Sequence, residues 1–156
     1  MKTRLEKSTR HSKITGDFGE SLVLYWLSKH GYECARVDHT GIDIIAREPN
    51  SRRVLGISVK SRSRMPGTEA DYLSIPKDNF TKAKRACRAF ACVPYFALVI
   101  DGRQVTRAFL LPMTRLMKLC PPGKRVAAWQ MSERHLRRYY ASPEVTVIEL
   151  NNARGW

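Results

Sequence analysis

Asp43 sits inside the apolar run "GIDIIA", and Lys60 ends the run "VLGISVK", so two charged residues interrupt stretches otherwise suited to burial. An unpaired carboxylate or ammonium in such a place is unfavourable unless a partner or a metal compensates it. The pair can compensate itself as a salt bridge between neighbouring strands, or it can serve a bound cation. A third charge, Glu20 in "GDFGESLVLYWLSK", lies beside an apolar helical face, because Val23, Leu24 and Leu27 follow it at i+3, i+4 and i+7. Glu20 also has a structural reading: Asp17 and Glu20 have the spacing of a capping box at a helix start.

The elements that must position these residues follow from periodicity. "GDFGESLVLYWLSKHGY" predicts a helix, with Phe18, Leu22, Tyr25 and Trp26 at helical spacing and Gly31 where a helix stops. "ECARV" predicts a short strand, "DHTG" a loop, "IDIIARE" a strand apolar on both faces and "PNSRR" a turn. In "VLGISVK", Leu55, Ile57 and Val59 share one side and Val54, Gly56, Ser58 and Lys60 the other, which puts Ser58 and Lys60 together. "SRSRMPGTEAD" reads as a loop. A second helix opens near Pro76, with Phe80, Ala83, Cys87 and Phe90 as its apolar stripe among Lys77, Lys82, Lys84, Arg85 and Arg88. "PYFALVI", the turn pair Asp101-Gly102 and "QVTRAFLL" predict two strands and the turn between them. Beyond Pro112, "MTRLMKLC" predicts a short helix, "SERHLRRYY" another with Ser132 as N-cap, and "EVTVIEL" a closing strand. This order implies an α/β domain with a mixed sheet and helices on its faces.

A chain of 156 residues suits one domain, read as a basic arm over 1–14 and a single domain over 15–156. Lys and Arg number 28 against 14 Asp and Glu, a formal charge of +14, and the pI is near 10.1. So positive a field makes nucleic acid the leading partner, with an acidic membrane surface or a merely basic protein as alternatives. No apolar run approaches the roughly 20 residues that span a bilayer. The start, "MKTRLEKSTRHSK", has no apolar core of a secretory signal. Cys34, Cys87, Cys92 and Cys120 form no CxxC pair and have apolar neighbours, which predicts buried free thiols in a reducing cytoplasm.

In this order and on these elements, "GDFGE", "GIDIIA" and "ISVKSR" resemble the PD-(D/E)XK nuclease superfamily, and within it the small Holliday-junction resolvases and related restriction-type endonucleases. The resemblance covers roughly residues 15–111, leaving 112–156 as a C-terminal extension. It implies a restriction-endonuclease-like fold, a central mixed β-sheet flanked by helices. It also implies Glu20 as the helix acid, Asp43 as the central metal-binding aspartate, Lys60 as the catalytic lysine, and Mg²⁺ as cofactor with Mn²⁺ able to substitute. Ser58 departs from the pattern, which has Glu, Asp or sometimes Gln two residues before the lysine as a metal ligand. A serine hydroxyl is a poor Mg²⁺ ligand by comparison. Some restriction enzymes of the superfamily with serine there take the second acid from the following helix. Asp78 is the corresponding metal candidate here, with Glu69 and Asp71 behind it. An acid in a first helical turn also simply favours the helix dipole.

Arg52, Arg53, Arg62, Arg64, Lys82, Lys84 and Arg85 are expected to neutralise nucleic-acid phosphates, giving salt-sensitive affinity with little base preference. Arg134, Arg137 and Arg138, beside Tyr139 and Tyr140, form either a DNA-facing helix or a partly core one. His39, shortly before Asp43, reads more readily as a plain loop histidine than as a substrate contact. The expectation is an Mg²⁺-dependent DNA endonuclease, with branched DNA among its substrates and a symmetric homodimer as its working form. Two alternatives stand beside it: a DNA-binding module that kept the fold and lost catalysis, and a basic RNA-associated protein.

Overall fold

The computed structural model describes residues 6–154. In chain order the elements are α1 (His11–Lys29), β1 (Glu33–His39), β2 (Ile42–Arg47), β3 (Val54–Ser63), β4 (Leu73–Pro76), α2 (Asp78–Ala89), β5 (Val93–Asp101), β6 (Val105–Pro112), α3 (Met113–Leu119), β7 (Val126–Trp129), α4 (Glu133–Ala141) and β8 (Thr146–Asn151). Six strands form a mixed sheet in the order β1-β2-β3-β5-β6-β8. Among the described residues only β3 and β5 run parallel, and parallel neighbours need a crossover, which β4 and α2 supply.

The alternation of β3 holds, but both of its sides are covered. Leu55, Ile57 and Val59 pack with Val23 and Leu27 of α1. On the other side Gly56 meets Cys87 of α2 so closely that a Cβ there would lie 2.5 Å from the thiol. A second cluster fills the face away from α1, where Phe80 and Phe96 join Phe109, Trp129 and Tyr139. Trp129 and Tyr139 stack with ring centroids 3.7 Å apart. All four cysteines are free; Cys87 and Cys120 are buried, whereas Cys34 and Cys92 are half-buried. Among the described residues no helix is long and apolar enough to cross a membrane.

Three expectations about these elements need correction. The helix begins at His11, so residues 11–14 of the basic arm are helical: the His11 amide donates to the Ser8 carbonyl and the Thr15 hydroxyl to the His11 carbonyl. Residues 1–5 of that arm lie outside the described residues. The buried stripe of α1 is Thr15, Gly19, Val23 and Leu27, not Phe18, Leu22, Tyr25 and Trp26, and Tyr25 is 64% exposed. Small side chains at 15 and 19 let the helix axis approach the sheet, and the larger apolar groups flank the contact. Asp38 and His39 of "DHTG" belong to β1, which pairs through His39↔Ile42 after a register shift. Within residues 112–156, β8 pairs with β6, and α3, β7 and α4 supply Leu116, Trp129 and Tyr139 to the core.

The tetrapeptides "LSIP" and "VAAW" are strands that pair only with each other. Their four inward residues, Leu73, Ile75, Ala127 and Trp129, are fully buried. Gly31, at φ +84°, stops α1 as expected, and the Tyr32 amide returns to the Leu27 carbonyl. Ser132 stands at the N-cap of α4, yet its hydroxyl bonds His135 Nδ1 at 2.6 Å instead of a backbone amide.

Candidate nuclease-like site

The β2–β3 ladder ends at Ile44↔Ile57. Just past that rung the Val59 amide donates to Asp43 Oδ2 at 2.7 Å, so a side-chain carboxylate takes the place of the next backbone acceptor. Beyond it β3 has no neighbour in the sheet on that side among the described residues, while β5 stays paired on the other as far as Ser63↔Asp101. The strands part, and the charged residues gather at the opening.

Lys60 follows Val59 and is half-buried. Burial holds its ammonium below the ordinary lysine range, with the Asp43 carboxylate pulling the other way and Arg62, Asp78 and Lys82 acting more weakly. Glu20 is shifted in the complementary sense. Burial, then the negative charge of Asp43, raises its pKa, and Arg36 opposes them with Nε 3.9 Å from Glu20 Oε2. Glu20, Asp43 and Lys60 are therefore linked electrically through Asp43, although they come from a helix and two strands.

Two glycines explain how the acids reach one place. A Cβ at Gly19 would lie 1.8 Å from Ser61 Oγ, so "GDFGE" brings α1 against β3 and delivers Glu20 with it. Gly41 has φ +101°, and a Cβ there would lie 2.3 Å from the Lys82 carbonyl oxygen. The β1–β2 turn consequently rests on the backbone of α2, and Asp43 leaves that turn toward Lys60. The capping-box reading of Asp17 and Glu20 fails, because both lie well inside α1 and its N-cap is Arg10. Asp17 pairs with Lys13 at 3.1 Å instead.

Ser58 is 2% exposed and provides no charge. Asp78 is near enough to influence Lys60, but it is exposed and held by Lys82 at 2.6 Å, whose hydrogen bond lowers its pKa. Glu69 accepts the Gly67 amide at 2.7 Å within its own loop, and Asp71 is exposed. Neither appears among the charges that act on Lys60. Among the described residues, no three His, Cys, Asp or Glu side chains cluster as a set of metal ligands.

The basic residues divide into two groups. Arg52, Arg62, Lys84 and Arg85 are exposed, and Lys82, also exposed, is paired with Asp78 at 2.6 Å. Arg53 is occupied by Glu48 at 3.1 Å and lies 5.4 Å from the Tyr95 ring centroid. Arg64 is half-buried, and its Nη2 donates to the carbonyls of Asp71 at 3.3 Å and Tyr72 at 2.8 Å, so it anchors the loop after β3. His39 bonds the Thr40 carbonyl at 2.9 Å and meets Phe90 edge-on at 5.0 Å. In α4, Tyr139 is core and Tyr140 accepts from Arg107 Nε at 3.2 Å. Two residues not singled out in the sequence also belong here. Arg36 holds Glu20 and donates to the Asp17 carbonyl and the Ser21 hydroxyl. Lys7 donates to the Ser63 carbonyl at 2.7 Å. A lone arginine in the otherwise uncharged stretch "CARV" was a usable signal for the first; for Lys7 there was none.

No protein-family model matches the sequence, and no curated protein does. Among solved structures the chain is similar to Hjc, a Holliday junction resolvase from the archaeal hyperthermophile Archaeoglobus fulgidus. The identity is 22%, the match covers 79% of this chain and 88% of that one, and the TM-score is 0.57. The likeness bears out the restriction-endonuclease-like fold, with its central mixed sheet flanked by helices.

Proposed function

We propose that the protein is a divalent-metal-dependent endonuclease that hydrolyses phosphodiester bonds in branched DNA. The observation that carries this reading is the electrical linkage of Glu20, Asp43 and Lys60 at the point where β2 leaves β3. Similarity in fold to a Holliday junction resolvase supports the substrate class.

The residues fit an Mg²⁺ or Mn²⁺ ion. The negative charge of Asp43 adds to burial in raising the Glu20 pKa, a cost that a cation between them would relieve, and Mg²⁺ is commonly held by one or two carboxylates plus waters and substrate phosphate. Asp43 Oδ2 is fixed by the Val59 amide, which leaves Oδ1 for the ion. Glu20 would be the second ligand, oriented by Arg36. Ser58 offers at most a neutral oxygen, and Asp78 would have to leave Lys82 to take part. Such an ion, when bound, stabilises charge on the phosphoryl oxygens and activates water. Lys60 would direct its ammonium hydrogens at the phosphoryl oxygen that gains charge during attack. Exposed Arg52, Arg62, Lys82, Lys84 and Arg85 would hold the flanking backbone. Paired incision of two strands needs two copies of the site, so the proposal includes a homodimer.

The test is cleavage of labelled linear and four-way-junction DNA in Mg²⁺ or Mn²⁺ by the protein, Asp43→Ala and Lys60→Ala. Cutting that both substitutions abolish supports the nuclease. A second reading, a DNA-binding module without catalysis, is favoured by buried Ser58 in the place of an acid. Binding without cutting in either metal would select it. Tight RNA binding indifferent to Asp43 would reject both.

A further inference from the structure

The open edge of β3 continues past Lys60 into a cleft of about 530 Å³ between that strand's end and the segment leading into α1. Lys7, His11, Ser12, Lys60, Ser61 and Arg62 are among its lining residues, and no carboxylate of the described residues lines it. In a protein with 14 acidic residues, three cations and several hydroxyls without an acid make a wall suited to an anion. Two further observations point to a ligand. Ser61 Oγ and His11 Nε2 are two of the four buried side-chain polar atoms left without a partner among the described residues. In addition, the Val59 amide points out of the edge that β2 has left, and the two-residue repeat of a strand aims the Ser61 amide the same way.

Resting on the nuclease reading above, we propose that this cleft is a second phosphate subsite, which grips the cut strand at a phosphodiester next to the scissile one. A strand rises about 3.3 Å per residue, so Ser61 to Ser63 lie within about 10 Å of Lys60. That is the reach of a neighbouring backbone phosphate. Lys7, already tethered to the Ser63 carbonyl, supplies the outer charge, and Arg62 the inner one. The Ser61 hydroxyl turns from Gly19 to the phosphate by rotation about χ1.

The experiment uses the full chain and a four-way junction with single methylphosphonate linkages stepped along one strand, with binding read by anisotropy in Ca²⁺. Wild type should lose affinity about tenfold when the neutral linkage falls at the subsite, as for loss of a charge-assisted hydrogen bond. Lys7→Gln and Ser61→Ala should bind the native junction more weakly and be indifferent to that one linkage. Exposed Lys124→Gln, outside the cleft, should keep the wild-type profile. If the junction binds but Lys7→Gln and Ser61→Ala reproduce the wild-type profile at every linkage, the subsite is wrong while the nuclease reading stands. No junction binding by wild type would overturn both.

Discussion

The amide of Val59 and the carboxylate of Asp43 are joined at 2.7 Å where the strands that carry them separate. Asp43 thus has two duties, ending a β-ladder and presenting a charge, and substitutions can divide them. Asp43→Asn keeps an acceptor for the amide and should fold with a Tm near wild type, yet cleave no DNA. Asp43→Leu should lose cleavage as well and cost about 1–3 kcal/mol for the amide left unpaired. Thermal unfolding beside a cleavage assay reads both effects. Wild-type cleavage by Asp43→Asn would remove this carboxylate from the reaction.

Glu20 sets a pH dependence. Burial and Asp43 raise its pKa above the ordinary carboxylate value, so its contribution to stability is present below that value and lost as pH rises through the raised one. Glu20→Gln should therefore raise the metal-free Tm at pH 7 and leave it unchanged near about pH 4, where wild type is already protonated. Mg²⁺ should stabilise wild type at pH 7 and not this variant. A Tm difference that ignores pH would contradict the assignment.

Ser58 offers a gain-of-ligand experiment. Because it is 2% exposed, Ser58→Asp buries a carboxylate and should lower the Tm in EDTA. Mg²⁺ or Mn²⁺ should recover the loss and saturate at a lower concentration than in wild type. Equal destabilisation with and without metal would place Ser58 away from any ion.

The basic surface predicts a split between binding and folding. Lys84→Gln and Arg85→Gln should weaken DNA binding and flatten its salt dependence by about one unit of log–log slope for each phosphate no longer neutralised, with no change in Tm. Arg64→Gln should lower the Tm, because it frees the carbonyls of Asp71 and Tyr72. Salt titrations and melts of the same preparations decide the matter. An unchanged Tm in Arg64→Gln would return that residue to the DNA-binding group.

What the sequence made legible, and what it hid, follows from range. Glu20, Asp43 and Lys60 stood out because charge interrupts apolar periodicity within a few residues. The buried stripe of α1 was displaced by one position because the sheet selects small Thr15 and Gly19 for close approach, a criterion of size that hydropathy does not carry. β4 and β7 have four residues each, too few for alternation to show. Arg53 and Arg64 look like Lys84 in composition, and only Glu48, Tyr95 and two loop carbonyls tell them apart. Lys7 meets Ser63 across 56 positions, where no local pattern reaches.

The place of β8 bears on how the chain is made. It covers the outer side of β6 from Val105 to Leu110, yet it leaves the ribosome after every residue of the proposed site. The opening around Asp43 can assemble while the far border of the sheet is bare. During that interval, a few seconds at elongation rates of about 5–20 residues per second, Ala108, Phe109 and Leu110 belong to an unpaired edge that can recruit a strand from another chain. Nascent chains stalled after α4 should for that reason be the most aggregation-prone, with their site already built.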